Sequence, residues 1–269
     1  MTAHQVPTGI IEFYTSTINE ADRLNVPADG VLEMVRTQEL LRRHLPPAPA
    51  SVLDVGGGPG THARWLSDDG YRVHLVDPVQ RHLTEAGDCG CTVELGDARE
   101  LSAPDDSYDV VLLLGPLYHL VEAADRMTAL AEARRVVRPG GLVAAAGISR
   151  YASLFEHTAL AHLDSASLQQ GIAKILATGS HDGKKGFTEA YFHTGAELEA
   201  EMSGAGFTGT RVYGIEGPTW ALLKATERHT RESLTQSRMF ASALAAARMA
   251  EPYPDLLAAS SHLLAVGRN

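Results

Sequence analysis

Short, near-continuous apolar runs alternate along the chain with segments whose apolar positions recur every three or four residues. The first pattern predicts strands buried on both faces, and the second predicts helices that cover them. Residues 33–45, EMVRTQELLRRHL, have helical spacing and stop before Pro46, Pro47 and Pro49. SVLDVGG then reads as a strand, THARWLSDDG as a helix ending at Gly70, and YRVHLVDP as a second strand closed by Pro78. The rhythm repeats with a helix near 79–86, the strand TVELGD, the polar stretch ELSAPDDS and the very apolar strand YDVVLLLG. AADRMTALAEARRVV follows as an amphipathic helix, RPGG as its stop and LVAAAGIS as the next strand. This order predicts an α/β fold with a doubly wound, mostly parallel sheet.

After Arg150 the rhythm breaks. Residues 151–192 look helical but irregular and read as a helical lid insertion over the active face. The rhythm resumes with the helix GAELEAEMSGAG, the strand FTGTRVYGIEG, a long helical region over 220–250 and a last strand, HLLAVGR. The expected organisation is an N-terminal helical lid segment over 1–49, a cofactor-binding core over 50–150, the insertion over 151–192, and a C-terminal completion of the sheet over 193–269.

At 269 residues and 44% hydrophobic, the chain can bury the core of one such domain. Its net charge of -10 opposes a polyphosphate partner, so no nucleic acid is expected. No apolar run approaches a membrane span, and MTAHQVPTGIIEF lacks a basic start followed by an apolar core. Cys89 and Cys91 are too few for a zinc site and poorly placed for a disulfide, so they read as thiols of a reducing cytoplasm. Neither a metal nor a membrane partner is expected, and the choice between monomer and homodimer stays open.

Ligands of an open parallel sheet bind at the carboxyl ends of its strands where the strand order reverses. That rule places the site at DVGGGPG, where Gly56, Gly58 and Gly60 clear side chains from a backbone approaching a nucleotide-like ligand. Two chemistries share this loop. Gly58, Gly60 and Ala63 also satisfy the dinucleotide pattern of an NAD(P)-dependent oxidoreductase, and Asp77 suits a ribose in either case. Asp54 favours the other chemistry, because a carboxylate just before the glycines would meet a ligand ammonium and repel a pyrophosphate. Asp97 can accept a hydrogen bond from an adenine amino group, with the amide of Ala98 or Arg99 facing a ring nitrogen.

Taken together, VLDVGGGPG, VHLVDP, ELGDARELSAPDDSYDVVLLLG and ALAEARRVVRPGGLVAA resemble the successive motifs of the class I S-adenosylmethionine-dependent methyltransferases. The resemblance covers residues 50–150 well and 193–269 loosely. It implies a seven-stranded Rossmann-like sheet whose last strand, HLLAVGR, runs antiparallel. It also implies S-adenosylmethionine as cofactor, with Gly56 and Gly58 along the methionine part, Asp77 on the ribose, Asp97 on the adenine and the Gly115 carbonyl on the ammonium. Arg36, on the preceding helix, is either a partner for the methionine carboxylate or a surface residue.

LLLGPLYHL would end the fourth strand beside the sulfonium, so Pro116 sets the chain's exit and His119 is the candidate to take or orient a proton. Similar enzymes that methylate exocyclic amino groups of DNA bases carry Asn, Asp or Ser, then Pro-Pro, then Tyr or Phe. Gly115-Pro116-Leu117-Tyr118 departs from that run, which points to a small-molecule acceptor. Tyr14, in IIEFYTSTINEADRL, is a candidate lid and catalytic residue. Phe155, His157, Tyr191, Phe192 and His193, joined by Glu216 and Trp220, form a candidate substrate wall suited to a planar acceptor. The expected function is methyl transfer to N, C or O of a small aromatic or heterocyclic metabolite in specialised metabolism. A protein that binds S-adenosylmethionine without methylating stays open beside the oxidoreductase.

Overall fold

Five apolar runs form the parallel half of the sheet: β1 (Ser51–Val55), β2 (Arg72–Asp77), β3 (Thr92–Leu95), β4 (Tyr108–Leu113) and β5 (Val137–Ser149). The computed structural model describes residue 11, residues 20–183 and residues 187–269. The strand order β3-β2-β1-β4-β5 makes β1 the point from which the chain winds outward in both directions. Val52, Leu53, Val110–Leu113 and Leu142–Ala145 are fully buried, as a sheet covered on both faces requires. Helices α1 (Ala28–Arg42), α2 (Thr61–Asp68), α3 (Gln80–Glu85), the single turn α4 (Pro116–His119) and α5 (Ala123–Val136) connect or flank these strands.

Past β5 the chain forms α6 (Ala152–Ala159), α7 (Ala166–Thr178), β6 (Ser180–Asp182), β7 (Glu189–His193), α8 (Gly195–Gly204) and β8 (Thr208–Gly214). It closes with α9 (Trp220–Thr230), α10 (Arg238–Ala250), a turn at Pro254–Leu257 and β9 (His262–Arg268). β9 runs antiparallel between β5 and β8, so the seven expected strands are all present with the expected direction for the last.

Three expectations need correction. The insertion is helical only over its first two thirds, to Thr178. Its last third is an antiparallel hairpin of β6 and β7, docked in parallel on the end of β5 through Ile148 and Ser149. The boundary at 192 therefore cuts through β7. The helical region over 220–250 is two helices, broken where Arg231 takes a left-handed conformation with φ 59°. Cys89 and Cys91 are joined in a disulfide rather than left as thiols. Gly90, with φ 76°, turns the chain so that their Cα atoms lie 5.4 Å apart, within bonding range. The cysteines thus give no support to a reducing compartment. No helix among the described residues is long and apolar enough to cross a membrane.

Candidate active site

Each parallel strand from β1 to β4 delivers its next few residues to one cavity, as the reversal of strand order at β1 dictates. Gly56–Gly58 follow β1, Asp77 ends β2, Gly96–Arg99 follow β3, and Leu114–Leu120 except Leu117 follow β4. Gly56 has φ 69°, and a Cβ there would lie 2.7 Å from Pro116 Cγ, so glycine is what lets the first and fourth loops close on each other. Asp77 is a structural anchor as well as a wall. Its Oδ2 accepts from the Gly58 amide at 2.9 Å, and its Oδ1 accepts from the Val79 amide at 2.9 Å and lies 3.0 Å from His82 Nδ1.

Asp54 is buried beneath Gly57, and its Oδ2 has no hydrogen-bond partner among the described residues. Burial, then the neighbouring Asp77, pushes its carboxyl up to about 7. A buried acceptor of this kind is costly unless a ligand or water donates to it. Asp97 faces the cavity while Arg99 grips both its oxygens, through the backbone amide and Nε on Oδ1 and Nη2 on Oδ2. A carboxylate with three such donors keeps room for one more.

A second cavity adjoins the first, and the two share Arg23, Glu33, Tyr118 and His262. Its wall carries a run of rings contributed mainly by the hairpin. Phe187 meets His181 edge-on at 5.9 Å and His181 stacks on Phe192 at 6.0 Å, while His119 of the first cavity stacks on the far end of the run at Phe187, centroids 6.1 Å apart. Trp220 and His157 complete this wall. Lys224 bridges Asp29 at 3.3 Å and Glu156 at 3.2 Å, tying α1, α6 and α9 together around the cavity. Burial lowers His119 to about 4, with Asp77 opposing and Arg23 assisting the shift, and its Nδ1 lies 3.2 Å from Thr188 Oγ1.

Comparison with known proteins identifies the family. A family model described as "Methyltransferase domain" matches residues 52–141. A protein of Methylobacterium nodulans named "Ubiquinone biosynthesis O-methyltransferase" is 31% identical over 196 residues, which are 69% of this chain and 72% of that one. The chain belongs to the class I S-adenosylmethionine-dependent methyltransferases. The like-named protein of Azorhizobium caulinodans is 32% identical over 171 residues, 61% of each chain, so the chain matches about three fifths of that relative's length. A Thermotoga maritima structure titled as a methyltransferase, possible histamine N-methyltransferase, covers 97% of this chain and 98% of its own, with TM-score 0.61 and 18% identity. At that identity it supports the fold alone.

S-adenosylmethionine is the cofactor of this methyltransferase family, and the cavity fits it. The unpartnered Asp54 oxygen suits its ammonium, the glycine loop leaves room for its backbone approach, and Asp77 and Asp97 are separate acceptors. Of the cofactor residues expected from sequence, Asp54, Gly56, Gly58, Asp77, Asp97, Ala98 and Gly115 all line this cavity. Arg36 does not. Its guanidinium is fully buried away from the cavity, bonded to Glu39, Glu251 and the Ile215 carbonyl. Helical spacing turns Arg36 toward the C-terminal segment, so it is neither a cofactor ligand nor a surface residue. Arg36→Met is therefore expected to destabilise the protein by about 1–2 kcal/mol, because it removes the bonds to Glu39, Glu251 and the Ile215 carbonyl while Arg248 and Arg43 still hold the two carboxylates. S-adenosylhomocysteine affinity, measured by calorimetry below the melting transition, should stay within about twofold; a much larger loss would return Arg36 to the site.

The substrate wall also differs from expectation. His157 and Trp220 reach the second cavity, but Phe155, Tyr191 and His193 do not. Phe155 points outward from α6 and is 39% exposed. Tyr191 lies under the Arg126 guanidinium, 3.8 Å from its ring centre, and His193 is fully buried with Nε2 on Glu201 at 3.2 Å. The alternation of β7 explains this: Phe192 faces the cavity, so its neighbours 191 and 193 face away. Tyr14 lies outside the described residues. Sequence reasoning missed Arg23, Glu33, His62, His181, Phe187 and His262. A histidine one position into the helix after the glycine loop was a usable signal for His62, whereas Glu33 and His262 meet only through the fold.

Proposed function

We propose that this protein transfers the sulfonium methyl group of S-adenosylmethionine to N, C or O of a small aromatic or heterocyclic acceptor, as an enzyme of specialised metabolism in the cytoplasm. One observation carries the reading: the cofactor cavity, with its unpartnered Asp54 oxygen, adjoins a second cavity walled by Tyr118, Phe187, Phe192 and Trp220. Flat rings in a wall favour a flat ligand, and apolar walls exclude water from the transfer. The relatives named O-methyltransferase support oxygen among the acceptor atoms.

The test begins with calorimetric titration of S-adenosylhomocysteine, with NAD as control. S-adenosylhomocysteine should bind at about micromolar Kd, a free energy near 8 kcal/mol, and NAD should give no heat. Incubation with S-adenosylmethionine and a panel of phenols, aromatic amines and heterocycles should then release S-adenosylhomocysteine. Heat from NAD alone would favour an oxidoreductase. Tight S-adenosylhomocysteine binding without turnover on any acceptor would favour a binding protein that does not methylate.

A further inference from the structure

We propose that His262, oriented by Glu216, is the group that takes the acceptor's proton; this rests on the methyltransferase reading above. Four side chains stand where the two cavities meet: Arg23, Glu33, Tyr118 and His262. Arginine does not give up its proton, and Glu33 is tied to Arg23 Nη1 at 2.8 Å. Burial would raise Glu33, but Arg23 and His262 outweigh it and hold the carboxyl below its usual range. An imidazole is the better proton acceptor at this junction near neutral pH.

The hydrogen bonds fix which nitrogen is available. His262 Nδ1 lies 2.5 Å from Glu216 Oε1 and 3.4 Å from Glu33 Oε2, so Nδ1 carries the hydrogen. Nε2 makes no hydrogen bond among the described residues and keeps its lone pair. Glu216 itself cannot turn away. It is 2% exposed, and its Oε2 accepts from Ser260 Oγ at 2.8 Å and from the His262 amide at 2.9 Å. Ser260 Oγ is held in turn by the amides of Glu216 and Gly217. A fixed carboxylate on one ring nitrogen sets the tautomer and stabilises the imidazolium formed when the other nitrogen takes a proton.

The charges around the ring point the same way. Burial would lower His262, and Arg23 opposes its protonation, but Glu33 and Glu216 outweigh both and raise it above the ordinary histidine value. The other two imidazoles of the cofactor cavity that burial depresses, His62 and His119, both fall to about 4 and are weak acceptors. S-adenosylmethionine, when bound, supplies the methyl group, the C–S electron pair leaving with sulfur while the acceptor's lone pair makes the new bond. His262 Nε2 receives the hydrogen released from the acceptor as a proton and returns it to solvent. The same three groups, Glu33, Glu216 and His262, have donor atoms within 4.8 Å of one another, a spacing that a cation could also use. Arg23 on Glu33 and the donors already on Glu216 favour the proton reading.

Histidine-selective NMR of the wild type, Glu216→Gln and His262→Asn, each with S-adenosylhomocysteine, decides this without a known acceptor. In the wild type the neutral His262 ring should carry its hydrogen on Nδ1 and titrate above an ordinary histidine; Glu216→Gln should move that titration down by about one pH unit. With the first acceptor found, His262→Asn should lower kcat about 100-fold or more, with KM and S-adenosylhomocysteine affinity within about twofold. Wild-type kcat should rise with pH along the NMR titration, and Glu216→Gln should shift that limb down with it. A neutral ring protonated on Nε2, an unchanged kcat in His262→Asn, or a resonance shift on adding Zn²⁺ or Mg²⁺ that His262→Asn abolishes would overturn the proposal. A wild type that does not bind S-adenosylhomocysteine overturns the methyltransferase reading instead.

Discussion

Replacing Asp54 by Asn is expected to stabilise the unliganded protein above neutral pH and to weaken S-adenosylhomocysteine binding about 100-fold. Both effects follow from one buried carboxyl. Burial and the charge of Asp77 lift the Asp54 carboxyl from its ordinary value of 3.8 to about 7 in the folded chain. Between those two values the folded protein keeps a proton that the unfolded chain has lost, so this group's contribution falls as pH rises through that window. The contribution is fully present below the unfolded value and is gone above the folded one, a change on the order of 4 kcal/mol. Asparagine never ionises, so urea melts of the variant should lose less stability than wild type between about pH 4 and pH 8. An identical fall in both proteins would show that Asp54 ionises at no cost.

Binding should move in the opposite direction. A ligand ammonium pairs with the ionised carboxylate, so wild-type affinity for S-adenosylhomocysteine should strengthen as pH rises toward about 7. The variant should lack that dependence, because its amide offers no charge. Calorimetry across the same pH range measures both.

Asp77→Ala carries the second large effect. The substitution removes the acceptor for two backbone amides, Gly58 and Val79, and for the imidazole of His82. Each stranded buried donor costs about 1–3 kcal/mol, so a total loss of about 3–5 kcal/mol is expected. For a domain of this size that lowers Tm by about 10 °C. S-adenosylhomocysteine affinity should fall about 100-fold, because the glycine loop loses its anchor and, in the role proposed for Asp77, the ribose would lose its acceptor. Asp77→Asn keeps one acceptor oxygen and should lie between the two. Removing the Asp77 charge should also let Asp54 ionise at lower pH, which the same urea melts would detect. Wild-type affinity in Asp77→Ala would exclude Asp77 from the ribose.

The strand-end part of the first cavity was legible from the chain because those residues lie within a few positions of an apolar run, whereas Arg23, Glu33 and His262 reach the same cavity from elsewhere. Gly56, Asp77, Asp97 and Gly115 sit in loops whose location follows once four apolar strands are counted in order. The antiparallel last strand, by contrast, was implied by family resemblance, since HLLAVGR has no internal mark of direction. The second cavity was read less well. Phe155 and Tyr191 are aromatic residues of the insertion, but which face they present depends on helix and strand register against the core.

By itself, then, the sequence determined the order of elements through β5, the parallel core, the glycine loop and the acidic residues at the strand ends. These are local properties, set by apolar periodicity and by the residue types that turns and nucleotide-binding loops demand. Only the tertiary structure decided that Arg36 faces Glu251, that Gly90 folds Cys89 onto Cys91, and that β7 turns Phe192 rather than Tyr191 to the cavity. It also brought Glu33, Glu216 and His262 together from α1, a late loop and the last strand. Long-range encounters of this kind leave no trace in local spacing. They arise because β9 inserts between β5 and β8, carrying its first residue to the edge of the cofactor cavity.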